Sequence, residues 1–198
     1  ALGRHVDGIM GFNVFQHKLL TLDYLNNQIR LSSGQLPPPD GKTIFDADGP
    51  NYLPWLTVEF ADRSEVMLID SGAARYSLVV NQLETFQTRF PARLADSATR
   101  MRDTELRSAA RSRGNARIGP NILVTPTLLS TSGTQLIGGQ VMRNFTWTFD
   151  QSTERVRLVR HSPDSPIVFE PVYGHGMVLH FHQDGFRVEG ILPNTPAS

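Results

Sequence analysis

The reading turns on residues 65–80, "EVMLIDSGAARYSLVV". Four apolar residues, Val66 to Ile69, run straight into Asp70, and Ser71, Gly72, Ala73 and Ala74 follow at once. Asp-Ser-Gly can be a plain turn that closes a buried strand. It can also hold a carboxylate at the mouth of a core. Working outward, "WLTVEF" (55–60) alternates as a strand, "ADRS" turns, "EVMLID" (65–70) is a second strand and "YSLVV" (76–80) a third. "NQLETFQTRF" (81–90) is predicted as a short helix, with Asn81 as N-cap and Glu84 three residues on. "NILVTPTLL" (121–129) reads as one more strand, set at an edge or a bulge by Pro126. The expectation is an all-β fold with short helices.

Composition leaves the chemistry open. The chain has 198 residues, 39% of them hydrophobic, and a formal net charge of zero, so no whole-molecule field draws it to nucleic acid. Thirteen prolines and 16 glycines favour short strands over long helices. With no cysteine there is no disulfide, thiolate metal site or thiol nucleophile. No apolar run approaches the roughly 20 residues of a membrane span. The opening "ALGRHVDGIMGF" has no signal-peptide pattern and no initiator methionine, and the expectation is that residue 1 is not the natural start.

A repeat organises the rest. Residues 9–31, "IMGFNVFQHKLLTLDYLNNQIRL", align without a gap with residues 136–158, "LIGGQVMRNFTWTFDQSTERVRL". Gly11/Gly138, Val14/Val141, Thr21/Thr148, Asp23/Asp150, Arg30/Arg157 and Leu31/Leu158 are identical. Each copy reads as two apolar residues, a glycine, a helical turn, a strand, an Asp-led turn and a second strand. Agreement in both pattern and identity favours duplication over two unrelated hairpins. The Pro-rich stretch "SGQLPPPDGK" (33–42) between the copies reads as a linker.

Asp70-Ser71-Gly72-Ala73 after an apolar strand, with Leu136-Ile137-Gly138 and a short helix later, resembles the pepsin/retropepsin-type aspartic peptidases. The likeness is greatest to bacterial two-lobe retropepsin-like proteins. By composition alone, Asp-Ser/Thr-Gly occurs in about one chain of this size in ten, so the tripeptide matters only together with the second motif and its duplicate. The resemblance implies barrel-like lobes in which each lobe gives one Asp-Ser/Thr-Gly loop and an apolar-apolar-Gly strand passes behind it. It divides the chain into the end of a first lobe (1–36), a linker (37–49), a complete lobe (50–162) and a C-terminal piece (168–198). In that piece, "GMVLHFHQDGFRVEGILPNTPAS" (176–198) resembles the opening of a PDZ domain.

By the same resemblance Asp70 is the catalytic residue, Ser71, Gly72 and Ala73 form the active-site loop, and Leu136, Ile137 and Gly138 form the strand that supports it. The substrate is a peptide or protein, with no cofactor, no metal and no nucleic acid. Ala74 and Gly139 depart from the serine or acid and the arginine common in the family, which affects substrate contacts. Only one Asp-Ser/Thr-Gly occurs in the chain. The interval from Asp70 to Gly138 sets the first lobe's aspartate before residue 1. The mate then comes from preceding residues or from a homodimer partner. A PDZ-like tail points to an extracytoplasmic (periplasmic or secreted) protein.

The chemistry suits those residue types. Two facing carboxylates cannot both ionise easily, so one takes a proton from water while the other donates to the carbonyl oxygen. Ser71 can tie its loop to a partner loop, and Gly72 lets its N–H approach the carboxylate. Small Ala73 leaves room for a substrate backbone. A non-catalytic peptide-binding protein on the same scaffold is the main alternative. Ser71 as a nucleophile needs a base, and no histidine lies within 50 residues of it on either side.

Three further features have plainer explanations. Residues 89–117 hold eight arginines against three acids, a net of +5, in the interval where such a lobe carries its flap. A solvated loop accounts for them as well as a preference for acidic substrates does. His180 and His182 share a strand face, and with His175, Glu170 or Asp184 could hold zinc as a hydrolase would; surface histidines are the ordinary explanation. Asn144-Phe145-Thr146 fits a glycosylation acceptor by pattern alone.

Overall fold

The computed structural model describes residues 10–47, 49–99, 104–169 and 176–191. The first repeat gives a 3₁₀ turn at Phe12–Phe15 and the hairpin β1 (Leu19–Asp23) and β2 (Gln28–Ser32), followed by β3 (Ile44–Asp46). Next come β4 (Trp55–Glu59), β5 (Ser64–Ile69) and, beyond the Asp70 loop, β6 (Leu78–Val80). A long arm, β7 (Arg93–Thr99) and β8 (Thr104–Arg111), leads to β9 (Ala116–Ile118), β10 (Asn121–Val124) and β11 (Thr127–Ser130). The second repeat supplies β12 (Leu136–Ile137), the single-turn helix α1 (Gly139–Met142), β13 (Phe145–Asp150) and β14 (Arg155–Arg160). β15 (Ile167–Val168) and the hairpin β16 (Met177–His182) and β17 (Gly185–Ile191) complete the described chain. The protein is all-β.

Alternation explains the strands. In β4, Leu56 and Val58 point into the core while Thr57 and Glu59 face out. In β14, Val156 and Leu158 are buried between outward arginines. Phe145, Trp147 and Phe149 line one face of β13, with ring centroids 5.4 Å and 6.1 Å apart along the row. Their burial against Leu56, Val58, Met67 and Ile137 makes one core beneath both sheets. Apolar area removed from water on this scale is the main stabilising term.

The sheets are a five-stranded one in the order β2-β1-β13-β14-β3, a ten-stranded one in the order β15-β10-β9-β4-β5-β12-β6-β11-β8-β7, and the separate β16-β17 hairpin. The five-stranded sheet joins the two repeats. β1 lies antiparallel to β13, with Thr21 opposite Thr148, Leu20 opposite Phe149 and Leu22 opposite Trp147. Thr21 and Thr148 are the same position of the repeat, and the residues on either side exchange roles in the pairing. The copies are therefore related by a local twofold axis through this pair, whose hydroxyl oxygens are 3.1 Å apart. The repeat's shared aspartates do the same job. Asp23 accepts from the Asn26 backbone and side chain, and Asp150 from the Ser152 hydroxyl and the Ser152 and Thr153 N–H groups.

Three local expectations change. Residues 81–90 form only a 3₁₀ turn at Leu83–Thr85, entered through Gln82 at φ 49°, and not a helix capped by Asn81. The buried pair Leu83 and Phe86 needs one tight turn, and Arg63 fixes it by donating to the Thr85 hydroxyl and carbonyl. The strand expected over 121–129 breaks at Thr125 (φ 39°) and Pro126, so β10 pairs with β9 and β15 while β11 pairs with β6 and β8. The stretch taken as linker contains β3, which pairs with β14. Just before it, Leu36 is buried, donating its N–H to Asp150 and accepting from Arg155.

Candidate functional site

β5 carries the Asp70 loop at its C-terminal end, and β12 runs parallel to β5 directly behind it, pairing Leu136 with Leu68 and Ile137 with Ile69. The other side of β12 pairs antiparallel with β6. The loop that leaves β5 and returns as β6 is thus tied at both ends to one two-residue strand. Asp70 donates its N–H to the Ile137 carbonyl at 3.0 Å, and Gly138 donates to Ser77 at 2.8 Å. Gly139 and Gln140 donate to Ala73 and Tyr76, each at 3.0 Å. The structure therefore brings Asp70, Ser71, Gly72 and Ala73 together with Leu136, Ile137 and Gly138, residues more than sixty positions apart in sequence.

Glycine is required where the loop meets this segment. A Cβ on Gly138 would lie 2.3 Å from the Tyr76 carbonyl oxygen and 2.8 Å from that of Ala73. One on Gly139 would lie 2.8 Å from the Ala74 Cα. Within the loop, the Gly72 N–H donates to Asp70 Oδ1 at 2.8 Å, so the backbone orients the carboxylate. Asp70 is half-buried, Ala73 is buried, and Ser71, Gly72, Ala74 and Arg75 are exposed. The carboxylate thus stands at the rim of a rigid support with its far side open.

Sequence reasoning missed the groups around this rim. Tyr24, from the turn after β1, crosses to the second repeat and donates to Met142 Sδ at 3.8 Å. Burial pushes its phenol up, Arg143 pulls it down and Asp70 pushes it up again, so Tyr24 lies within electrostatic reach of both. The Arg107 guanidinium of β8 sits 5.9 Å from the centre of the Tyr76 ring. Arg143 follows α1 with its Nε 3.4 Å from the Gly139 carbonyl. These residues lie far apart along the chain, and no local pattern marks them.

The two copies of the repeat differ in what covers them. In the second, Ile137, Val141, Val156 and Leu158 are at most 1% exposed. Their equivalents in the first, Met10, Val14, Ile29 and Leu31, are 72%, 62%, 73% and 54% exposed. Gly138 is packed against Tyr76 and Ala73, whereas a Cβ on Gly11 would meet only the Asn13 side chain.

Other candidates take ordinary places. His182 is exposed on β16 and Asp184 lies in its turn, while Glu170 and His175 fall outside the described residues and nothing is described of the His180 side chain. Among the described residues no group of three His, Cys, Asp or Glu could hold a metal ion. The Asn144 side-chain amide donates to the Gln140 and Val141 carbonyls and caps α1. Of the basic interval, Arg100 and Arg102 lie outside the described residues, as do the closing residues "LPNTPAS" beyond β17. Arg111 is structural, reaching Thr127 and the Phe169 carbonyl. Two surface depressions, about 260 Å³ beside Phe12 and Tyr52 and about 490 Å³ beside Phe60 and Phe86, do not include Asp70. No family model matches the chain, and no curated protein matches it.

Proposed function

We propose that this chain carries one half of an aspartic endopeptidase site, with Asp70 as one carboxylate of a pair. In the reaction, the ionised member of the pair takes a proton from water as the water oxygen bonds to the scissile carbonyl carbon. The protonated member gives its proton to the carbonyl oxygen, and the C–N bond then breaks as the amine nitrogen is protonated. Exposed Ser71 and Gly72 would form the wall along which the peptide backbone runs, with buried Ala73 fixing the loop behind them.

The observation that carries this reading is the contrast between the repeats. The second copy is buried under a lobe whose Asp70 loop presses on Gly138; the first copy has the same glycine, and among the described residues its apolar positions Met10, Val14, Ile29 and Leu31 are exposed. A lobe of like build on Met10, Val14, Ile29 and Leu31 would satisfy those positions. The local axis through Thr21 and Thr148 would then turn its loop to face Asp70. In the second copy the covering lobe runs directly into the repeat through β12. The mate of Asp70 would come from preceding residues or from a homodimer partner.

The reading extends to the C-terminus, where β16 and β17 would open a PDZ-type peptide-binding domain of an extracytoplasmic protein. An isolated hairpin is marginal by itself, and this one exposes Met177, Leu179, Phe186, Val188 and Ile191. The competing function is peptide binding without cleavage, favoured by the single Asp-Ser-Gly of the chain.

The test is hydrolysis of an unfolded protein from about pH 3 to about pH 8, with the oligomeric state measured alongside. It should be run on the chain and on any form extended at its N-terminus. Asp70→Asn should abolish cleavage and leave the thermal melt unchanged. Cleavage that survives the substitution would exclude this site, and binding without cleavage in every form would favour the competing function.

A further inference from the structure

We propose that Tyr24 is a positioning residue of the Asp70 site: from the first repeat, it fixes the helical turn of the second repeat to which the Asp70 loop is tied. The inference rests on the endopeptidase reading and assigns that site a residue outside the lobe that carries it. Tyr24 follows Asp23 directly, and Gln151 follows Asp150 at the same position of the repeat. The two residues make a crossed pair of contacts. The Tyr24 hydroxyl donates to Sδ of Met142, the last residue of α1, at 3.8 Å. The Gln151 amide donates to the carbonyl of Phe12, the first residue of the matching 3₁₀ turn, at 2.7 Å. Each copy therefore grips the helical turn of the other across the local twofold axis.

The turn that Tyr24 grips is the one that bears the Asp70 loop. At its start, the Gly139 and Gln140 N–H groups donate to the Ala73 and Tyr76 carbonyls, each at 3.0 Å. At its end, Met142 is buried, donates its N–H to the Gly138 carbonyl at 3.1 Å and accepts from the Trp147 indole at 2.8 Å. A turn of four residues has no length over which to absorb a shift, so a displacement of Met142 is passed to Gly138 and Gly139. Those glycines have no slack against the loop, since a Cβ on either would lie within 2.8 Å of its backbone. Tyrosine suits the task, because its ring packs against the core while its hydroxyl reaches a polarizable sulfur. Burial raises the phenol, the Arg143 guanidinium lowers it and the Asp70 carboxylate raises it, so the same side chain senses the charge it helps to place.

The experiment compares the chain with Tyr24→Phe, which keeps the ring and removes the hydroxyl, and with Met142→Leu, which keeps the volume and removes the sulfur. Amide hydrogen exchange at Gly139 and Gln140 should speed up about threefold in either variant and no further in the double variant, while amides of β4 and β10 keep their rates. The second measurement is NMR of isotope-labelled tyrosine, with the Tyr24 resonance assigned by its loss in Tyr24→Phe. The phenol should titrate at lower pH in Asp70→Asn and at higher pH in Arg143→Gln, whereas a packing role remote from the loop predicts no response to either. Unchanged exchange at Gly139 and Gln140, a uniform increase across the lobe, additive effects in the double variant, or a phenol indifferent to Asp70→Asn would each overturn the proposal.

Turnover separates the two claims. In a form of the chain that cleaves peptide, Tyr24→Phe should lower kcat about fivefold and leave KM within about twofold, because it disturbs the set of the carboxylate and not the contacts to the peptide. A change in KM alone would overturn the positioning role and leave the endopeptidase reading standing. Cleavage in no form, with exchange and titration as expected, sinks the hydrolytic reading and leaves Tyr24 as the residue that sets the Asp70 loop.

Discussion

Replacing Gly138 with alanine tests the support of the Asp70 loop, and Gly11→Ala is its internal control. The two glycines occupy the same position of the repeat in similar extended conformations, φ −94°, ψ 176° and φ −72°, ψ 155°. Either backbone accepts alanine, so only the surrounding space differs. At Gly138 the new methyl would sit 2.3 Å from one carbonyl oxygen and 2.8 Å from another. Ordinary contact begins near 3.4 Å, so the Ala73–Tyr76 backbone must retreat by about 1 Å, breaking the bonds that Gly138 and Gly139 make to it. Overpacking of this kind costs about 2 kcal/mol, which for a chain of this size lowers Tm by about 4–8 °C. At Gly11 the nearest atom is the tip of the flexible Asn13 side chain at 2.8 Å. The loss of unfolded-state entropy favours alanine there, and the net change should lie within about 0.5 kcal/mol of zero. Urea midpoints and thermal melts of both variants measure the difference. Equal destabilisation by the two substitutions would refute the argument. In a form that carries a lobe over the first repeat, Gly11→Ala should become as costly as Gly138→Ala.

The same symmetry yields a second pair: Leu158→Ala should cost about 2–4 kcal/mol and Leu31→Ala under about 0.5 kcal/mol by urea unfolding, and comparable losses would contradict the difference in cover. Acid should destabilise the fold through three aspartates. Backbone N–H groups of Ile44, Lys42 and Thr43 hold Asp40 well below its usual 3.8, and the Asn26 side chain and backbone lower Asp23. Burial pushes Asp150 up, but hydrogen bonds from Ser152, Leu36 and Thr153 outweigh it, so it too is lowered. Carboxylates depressed in the folded state contribute stability that is present above their unfolded value and lost as pH falls through the folded one. Tm should therefore be level from about pH 7 to about pH 5 and fall toward about pH 2, more gently for Asp150→Asn; a Tm that does not change over this range would refute this account.

Period-2 alternation was enough to read β4, and an apolar run into Asp70 to read β5, because which residues of a strand are apolar is a local property. The gapless repeat likewise located both hairpins and their Asp-led turns. Local patterns failed where a distant group decides the conformation. Arg63 and the buried pair Leu83 and Phe86 convert residues 81–90 from an expected helix into one tight turn. β14 recruits Ile44–Asp46 from a stretch that looked like linker. Of the site, the Asp70 loop and its supporting strand could be named in sequence. The places of Tyr24, Arg107 and Arg143 could not, since nothing local distinguishes an arginine set against a distant ring or carbonyl from one that faces water.

By itself, then, the sequence determined that two like units exist, that each turns on an aspartate, and that one glycine precedes each helical turn. It could not determine how the units meet. Side-chain alternation marks the faces of a strand and is silent about its neighbour across the sheet. Only the tertiary structure set Thr21 against Thr148, buried one copy and left the other open. Pairing and burial are settled by groups more than a hundred residues apart, and their free energy appears only once the chain has closed on itself.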